Sequence, residues 1–109
     1  MSELTIETRE AGDVTHVVLF GEFDLAGIEH FEAALATAEA RAPGVLLVDL
    51  SGLEFMDSSG LRALVMADQR AREAGRRLAI VPGPPPVRRV FEITQLDERL
   101  DLVESASAL

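Results

Sequence analysis

Apolar and polar side chains alternate over residues 3–9. Leu4 and Ile6 point one way and Glu3, Thr5 and Glu7 the other, the period of a half-exposed strand. Ala11-Gly12-Asp13 is a turn signal, and the Val-rich run from Val14 to Phe20 predicts a second strand. The two together read as an antiparallel hairpin, ended by Gly21-Glu22-Phe23-Asp24. From Leu25 to Ala42 the period lengthens. Ile28, Phe31, Leu35 and Ala38 recur at helical steps and mark a buried face, while Glu29, Glu32 and Glu39 fall toward solvent. Asp24 stands where an N-cap is wanted, and Pro43-Gly44 stops the helix.

Val45-Leu46-Leu47-Val48 is a short apolar run between turn formers and predicts a central strand covered on both faces. A loop is expected over Ser51 to Asp57, then a helix from Ser58 to Ala74 with Leu61, Leu64, Val65 and Ala71 inward. Arg70, Arg72, Arg76 and Arg77 crowd its last turns, where positive charge complements the helix dipole, and Gly75 terminates it. Leu78-Ala79-Ile80-Val81 predicts another buried strand, so residues 44–82 read as a parallel strand–helix–strand crossover. The stiff run Pro82-Gly83-Pro84-Pro85-Pro86 leads into a third helix, its last proline in the first turn, with Val87, Val90 and Phe91 inward and Arg88 and Arg89 outward. Leu100 to Val103 predicts an edge strand, and Glu104 to Leu109 a short helix or frayed tail. There is no repeat, linker or low-complexity tract, and 109 residues suit one α/β domain.

Composition narrows the chemistry. The chain is 48% hydrophobic, enough for a core, and 19 acids against 10 bases leave a net charge of -9, which disfavours a general nucleic-acid binder. Every base is Arg. Without Lys there is no phosphate-loop lysine, no Schiff base and no receiver-type lysine; without Cys there is no disulfide, zinc finger or thiol nucleophile. The opening residues have neither a basic head nor an apolar stretch, and the longest strongly apolar run is only Ala63 to Ala67. The expectation is a cytoplasmic protein with no signal peptide and no membrane association.

The segment Phe55-Met56-Asp57-Ser58-Ser59-Gly60-Leu61 leaves a buried strand and enters a helix N-terminus, the usual functional edge of an α/β sheet. Simple capping by Asp57 or Ser58 would also account for it. A nucleophile elbow would need Gly at both flanks of Ser58. Gly60 fits but Met56 does not, and His16 and His30 stand at the wrong places to serve as base. Two scattered His give no metal-ligand spacing. Asp49, Glu54 and Asp57 can form an acidic cluster at one sheet edge, a group more often solvated than metal-bound.

With these absences in hand, three stretches resemble the STAS domain family, and within it the bacterial anti-sigma factor antagonists. Gly21-Glu22-Phe23-Asp24 matches the family's Gly-Glu-(aliphatic or aromatic)-Asp approach to its first helix. The run from Val48 through Asp49-Leu50-Ser51-Gly52-Leu53-Glu54-Phe55-Met56 to Asp57-Ser58-Ser59-Gly60-Leu61 matches the central signature nearly throughout. Val87-Arg88-Arg89-Val90-Phe91 matches the third helix, and the similarity spans residues 4–108. Two features depart from the family pattern: Gln95 before Leu96, where members often carry Gly, and the Pro84-Pro85-Pro86 run.

The resemblance implies a single STAS-type domain over 1–109, with a mixed central sheet of about five strands, a hairpin at the start and helices packed against it. It implies no enzymatic activity, cofactor or metal. The unphosphorylated domain would bind an anti-sigma factor that is also a serine kinase, and so release a sigma factor. The kinase would phosphorylate Ser58, and a metal-dependent serine phosphatase would reset it. Asp24 and Asp57 would be contact residues, Ser59 and Gly60 would shape the loop, and Arg62, four residues past Ser58, completes the partner-binding set and can screen a phosphate. Two alternatives remain. One is a non-switching STAS adaptor in a stress-signalling complex or beside a lipid transporter's ATPase. The other is a small nucleotide-binding or hydrolytic enzyme, against which the missing Lys and glycine-rich phosphate loop argue.

Overall fold

Val, Thr and Leu at alternating positions drive the strands, and the order of elements follows from them. The computed structural model describes residues 3–109. β1 (Thr5–Ala11) turns back into β2 (Val14–Phe23), 3-10 residues Leu25–Gly27 lead into α1 (Ile28–Ala40), and β3 (Val45–Met56) is followed by α2 (Ser58–Glu73). Then come β4 (Arg77–Val81), α3 (Pro85–Ile93), a 3-10 turn at Leu96–Glu98, β5 (Asp101–Leu102) and a last 3-10 turn at Ala106–Ala108. The sheet order is β1-β2-β3-β4-β5, with β1 and β2 antiparallel and the remaining pairs parallel. The opening hairpin, the crossover β3–α2–β4 and the short edge strand stand as the residue pattern predicts, except that β2 does not end at Gly21 but continues through Glu22 to Phe23, paired with β3. No helix among the described residues is long and apolar enough to cross a membrane.

All three helices feed one core. Phe31 and Leu35 of α1, Leu61 and Leu64 of α2, and Val87 and Phe91 of α3 join Val17, Leu19, Leu46, Val48 and Ile80 of the sheet. Leu46, Leu47 and Val48 are all fully buried, as a strand covered on both faces requires, yet helix residues meet only the face that bears Leu46 and Val48. Leu47 belongs to a smaller cluster on the opposite face with Ala79 and Val81, flanked by Val14 and Val103.

The expected loop at Ser51 to Asp57 is not a loop: β3 continues to Met56. Val18 faces Asp49 while Phe20 faces Gly52, and Gly21 faces Leu53 while Glu22 faces Phe55, so β3 carries an extra residue at each step. Each bulge re-aims the side chains that follow it. Leu50, Leu53 and Met56 are therefore all buried although three residues apart, a spacing foreign to a regular strand. That spacing is why the alternation rule misses this half of β3.

Other corrections are electrostatic. Glu32 and Glu39 do not simply face water. Arg70 Nε donates to Glu39 Oε2 at 3.0 Å, and its Nη2 lies 3.3 Å from Glu32 Oε2 without hydrogen-bond geometry, so the arginine clamps α2 to α1. Arg72 pairs with the buried Asp68 at 2.8 Å and donates to the carbonyl of Arg99 at 2.9 Å. Arg76 donates to the carbonyl of Pro43, and Arg77 belongs to β4, where it holds Asp101 of β5 through Nε at 2.6 Å. The hydrogen bond and then the charge of Asp101 raise the Arg77 guanidinium above its ordinary pKa. These arginines act by specific pairing more than by complementing a helix dipole. Half-exposed pairs of this kind contribute about 0–1 kcal/mol each, so they orient elements that the core holds together.

At the start of α3, Pro84 is the cap and Pro85 and Pro86 fill the first two helical positions, where a missing N–H costs nothing. At its end Gln95 adopts the left-handed conformation, φ 61°, which glycine takes without strain. At the start of α2, a Cβ on Gly60 would lie 2.7 Å from the Phe23 carbonyl oxygen and 2.9 Å from Met56 Cγ, so only glycine lets the helix approach β2 this closely. Two opposite outcomes follow in urea unfolding of the full chain. Gly60→Ala is expected to lower stability by about 1–3 kcal/mol through overpacking against backbone. Gln95→Gly is expected to raise it by roughly 0.5–1 kcal/mol by relieving the left-handed strain.

Candidate functional site

β2 and β3 end side by side. Phe23 pairs with Met56, and the amide of Asp57 donates to the Phe23 carbonyl at 3.2 Å, extending the ladder by one bond. The next residue on each strand is an aspartate with extended backbone, Asp24 at φ -126° and Asp57 at φ -101°. Each turns its carboxylate onto the helix that follows. Asp24 Oδ1 accepts from the Ala26 amide at 3.1 Å, and Asp57 Oδ1 accepts from the amides of Ser59 and Gly60 at 2.9 and 3.1 Å. Asp24 is thus an N-cap as expected, although it caps the 3-10 residues Leu25–Gly27 and α1 starts only at Ile28. That 3-10 turn packs against α2, and the rings of Phe23 and Phe31 lie 4.8 Å apart, anchoring α1 beneath the same corner.

Ser58 is the first residue of α2. It is exposed, and its hydroxyl makes no hydrogen bond among the described residues. Asp57 and Ser59 are half-buried and Gly60 is buried. Arg62 is exposed one turn further on and forms no ion pair among the described residues. All six residues singled out from the sequence, Asp24, Asp57, Ser58, Ser59, Gly60 and Arg62, belong to the two strand exits and the first turns beyond them.

The acidic cluster of Asp49, Glu54 and Asp57 is not assembled. Asp49 Oδ1 accepts from the amide of Ser51 at 2.9 Å, Asp57 is spent on its cap, and no group of three His, Cys, Asp or Glu among the described residues is placed to hold a metal ion. No hydrogen bond joins Ser58 to His16 in β2 or to His30 on α1. His30 instead lines an open cleft of about 530 Å³ with Glu3, Leu4, Glu22, Asp24, Ala26 and Gly27. Three carboxylates in that lining make the surface beside Asp24 acidic.

Sequence reasoning missed two apolar side chains at this corner. Leu25, next to Asp24, is 74% exposed, and Phe55, two residues before Asp57, is 47% exposed. An apolar residue directly after an N-cap and off the inward helical stripe is the signal for Leu25. Phe55 gave none, because the bulges of β3 hide which face it occupies. The corner offers capping carboxylates, two exposed apolar groups and the exposed hydroxyl of Ser58.

Comparisons with known proteins place the chain in a family. A family model described as "Mlab, STAS domain" matches residues 6–104. An anti-sigma F factor antagonist of Lysinibacillus sphaericus is 35% identical over 97 residues, covering 86% of this chain and 79% of the relative. An anti-sigma-B factor antagonist of Listeria monocytogenes is 30% identical over 101 residues, covering 91% of this chain and 88% of the relative. Among solved structures, an anti-sigma factor antagonist from Mycobacterium paratuberculosis superposes with a TM-score of 0.88 at 27% identity, covering 96% of this chain and 89% of that one. With the mixed five-stranded sheet, the signature loop at the head of α2 and a family match over nearly its whole length, this chain belongs to the STAS domain family.

Proposed function

We propose that this protein is an anti-sigma factor antagonist, a single-domain cytoplasmic regulator that acts by binding and not by catalysis. In the unmodified form its Asp24–Asp57 corner docks on an anti-sigma factor that is also a serine kinase, and a sigma factor is released. The kinase esterifies Ser58, binding is lost, and a metal-dependent serine phosphatase restores it. The reading calls on no nucleic acid, membrane or cofactor. Its main support is the exposed, unbonded hydroxyl of Ser58 beside the Asp57 carboxylate. The relatives, named as antagonists of anti-sigma factors, support the choice of partner.

Charge accounts for the switch. A phosphoserine adds about -1.5 to -2 charges near neutral pH. One like-charge contact at about 4 Å costs about 4 kcal/mol at an effective dielectric near 20, and half of that already exceeds tenfold in affinity. Repulsion at the interface releases the partner without refolding this domain. A second reading within the same family is a non-switching STAS adaptor that uses the same corner permanently, since the STAS match does not by itself require a switch.

Titration calorimetry against the cognate anti-sigma factor separates the two. Ser58→Ala is expected to bind as the unmodified protein does and Ser58→Asp at least about tenfold more weakly. Equal affinities would leave the adaptor reading. Backbone amide shifts of the phosphorylated and unmodified forms are expected to differ only around residues 55–65.

A further inference from the structure

We propose that Arg62 is the built-in counter-ion of a phosphate on Ser58, pairing with it along α2; this rests on the reading of Ser58 as the modified residue. A helix N-terminus ordinarily receives an anion through its free amides. Here that route is largely closed. Of the three amides that open α2, those of Ser59 and Gly60 already donate to Asp57 Oδ1 and only that of Ser58 is uncommitted, while the next, Leu61, donates to the Asp57 carbonyl at 3.1 Å. A phosphate at Ser58 therefore arrives beside a carboxylate that holds the cap, with a second carboxylate, Asp24, at the neighbouring strand exit.

It needs a cation, and the fold leaves one within reach. Arg62 is the only basic residue between positions 42 and 69. Arg41, Arg70, Arg72 and Arg77 are engaged with Glu10, Glu39, Asp68 and Asp101, and Arg76 with a backbone carbonyl. Arg62 alone stands exposed on the first turns of α2 with no ion pair among the described residues. Ser58 and Arg62 are four residues apart on one helix, with the anion on the N-terminal side, the favourable order for a helical pair. The planar guanidinium suits two phosphate oxygens at once.

Two consequences follow. The pair leaves the Asp57 cap in place, so the modified protein keeps its fold. It also withdraws from the docking face the cation that the unmodified protein displays there. One modification thus adds negative charge and removes positive charge from the same surface.

The test uses the full chain with phosphoserine installed at position 58 during synthesis, so that no kinase is needed. Phosphorus NMR titrations of this protein, and of the same protein carrying Arg62→Gln or Arg62→Lys, read the second pKa of the phosphate. The wild-type value is expected to lie about 0.2–0.4 unit below that of Arg62→Gln, with Arg62→Lys between them. The Arg62 Nε–Hε resonance of the wild type is expected to shift on modification, a readout that holds even if a variant folds poorly. Identical titrations of wild type and Arg62→Gln, or an unmoved Arg62 resonance, overturn the proposal. Failure of the kinase to modify Ser58 is a separate result: it ends the switch reading and leaves the measured pairing untouched.

Discussion

The carbonyl of Phe23 accepts the amide of Asp57 and at the same time forms the wall against which Gly60 packs. This one contact sets the origin of α2 relative to the end of β2. From it follow the extended backbone of Asp57, its two-amide cap and the outward position of Ser58. Phe23 is itself fully buried, its ring tilted against that of Phe31 and its backbone paired with Met56, so the carbonyl is held by the core and not by the loop. The corner is thereby held by the core on its inner side and open on its outer side, which suits the presentation of Ser58 that the proposed switch requires.

Charge is distributed with the same division. The protein carries an excess of acid, yet most of its arginines on and around the helices are tied to carboxylates or carbonyls that join one element to another. Arg70 links α1 and α2, Arg72 links α2 to the turn after α3, and Arg77 links β4 to the two-residue β5. The corner of Asp24 and Asp57 is exempt from this pairing, and its carboxylates are spent on backbone amides. Its net field is therefore negative and sensitive to each added charge, with partial burial making each one count for more than it would in bulk water.

The two bulges of β3 connect fold and site. By inserting a residue at two points, they keep Leu50, Leu53 and Met56 directed into the core while the strand runs out to the sheet edge. Without them the pleat would turn one of these side chains to solvent. The same bulges place Phe55 outward, near Asp57, and so add apolar surface to the acidic corner. Apolar groups beside charged ones are the composition of protein interfaces, where buried anchors supply affinity and charge supplies selectivity.

Much of this was legible from one-dimensional pattern. Period-two alternation marked β1, a Val-rich run marked β2, a short continuous apolar run marked the first half of β3, and period-3.6 stripes marked all three helices, because these patterns are local properties of the chain. The segment Asp57-Ser58-Ser59-Gly60 was legible for a related reason: caps, small residues and helix starts are encoded within a few positions. The second half of β3 was not, since the bulges are imposed by the neighbouring strand and break the local period. Nor were the ion pairs of Glu32, Glu39 and Asp68, whose partners are chosen by helix packing, or the exposure of Leu25 and Phe55. Sequence alone determined which residues are candidates for the proposed switch. Tertiary structure decided that the Ser58 hydroxyl stands open, which amides are already taken and that Arg62 has no ion pair among the described residues, because those depend on distances between segments that no local pattern contains.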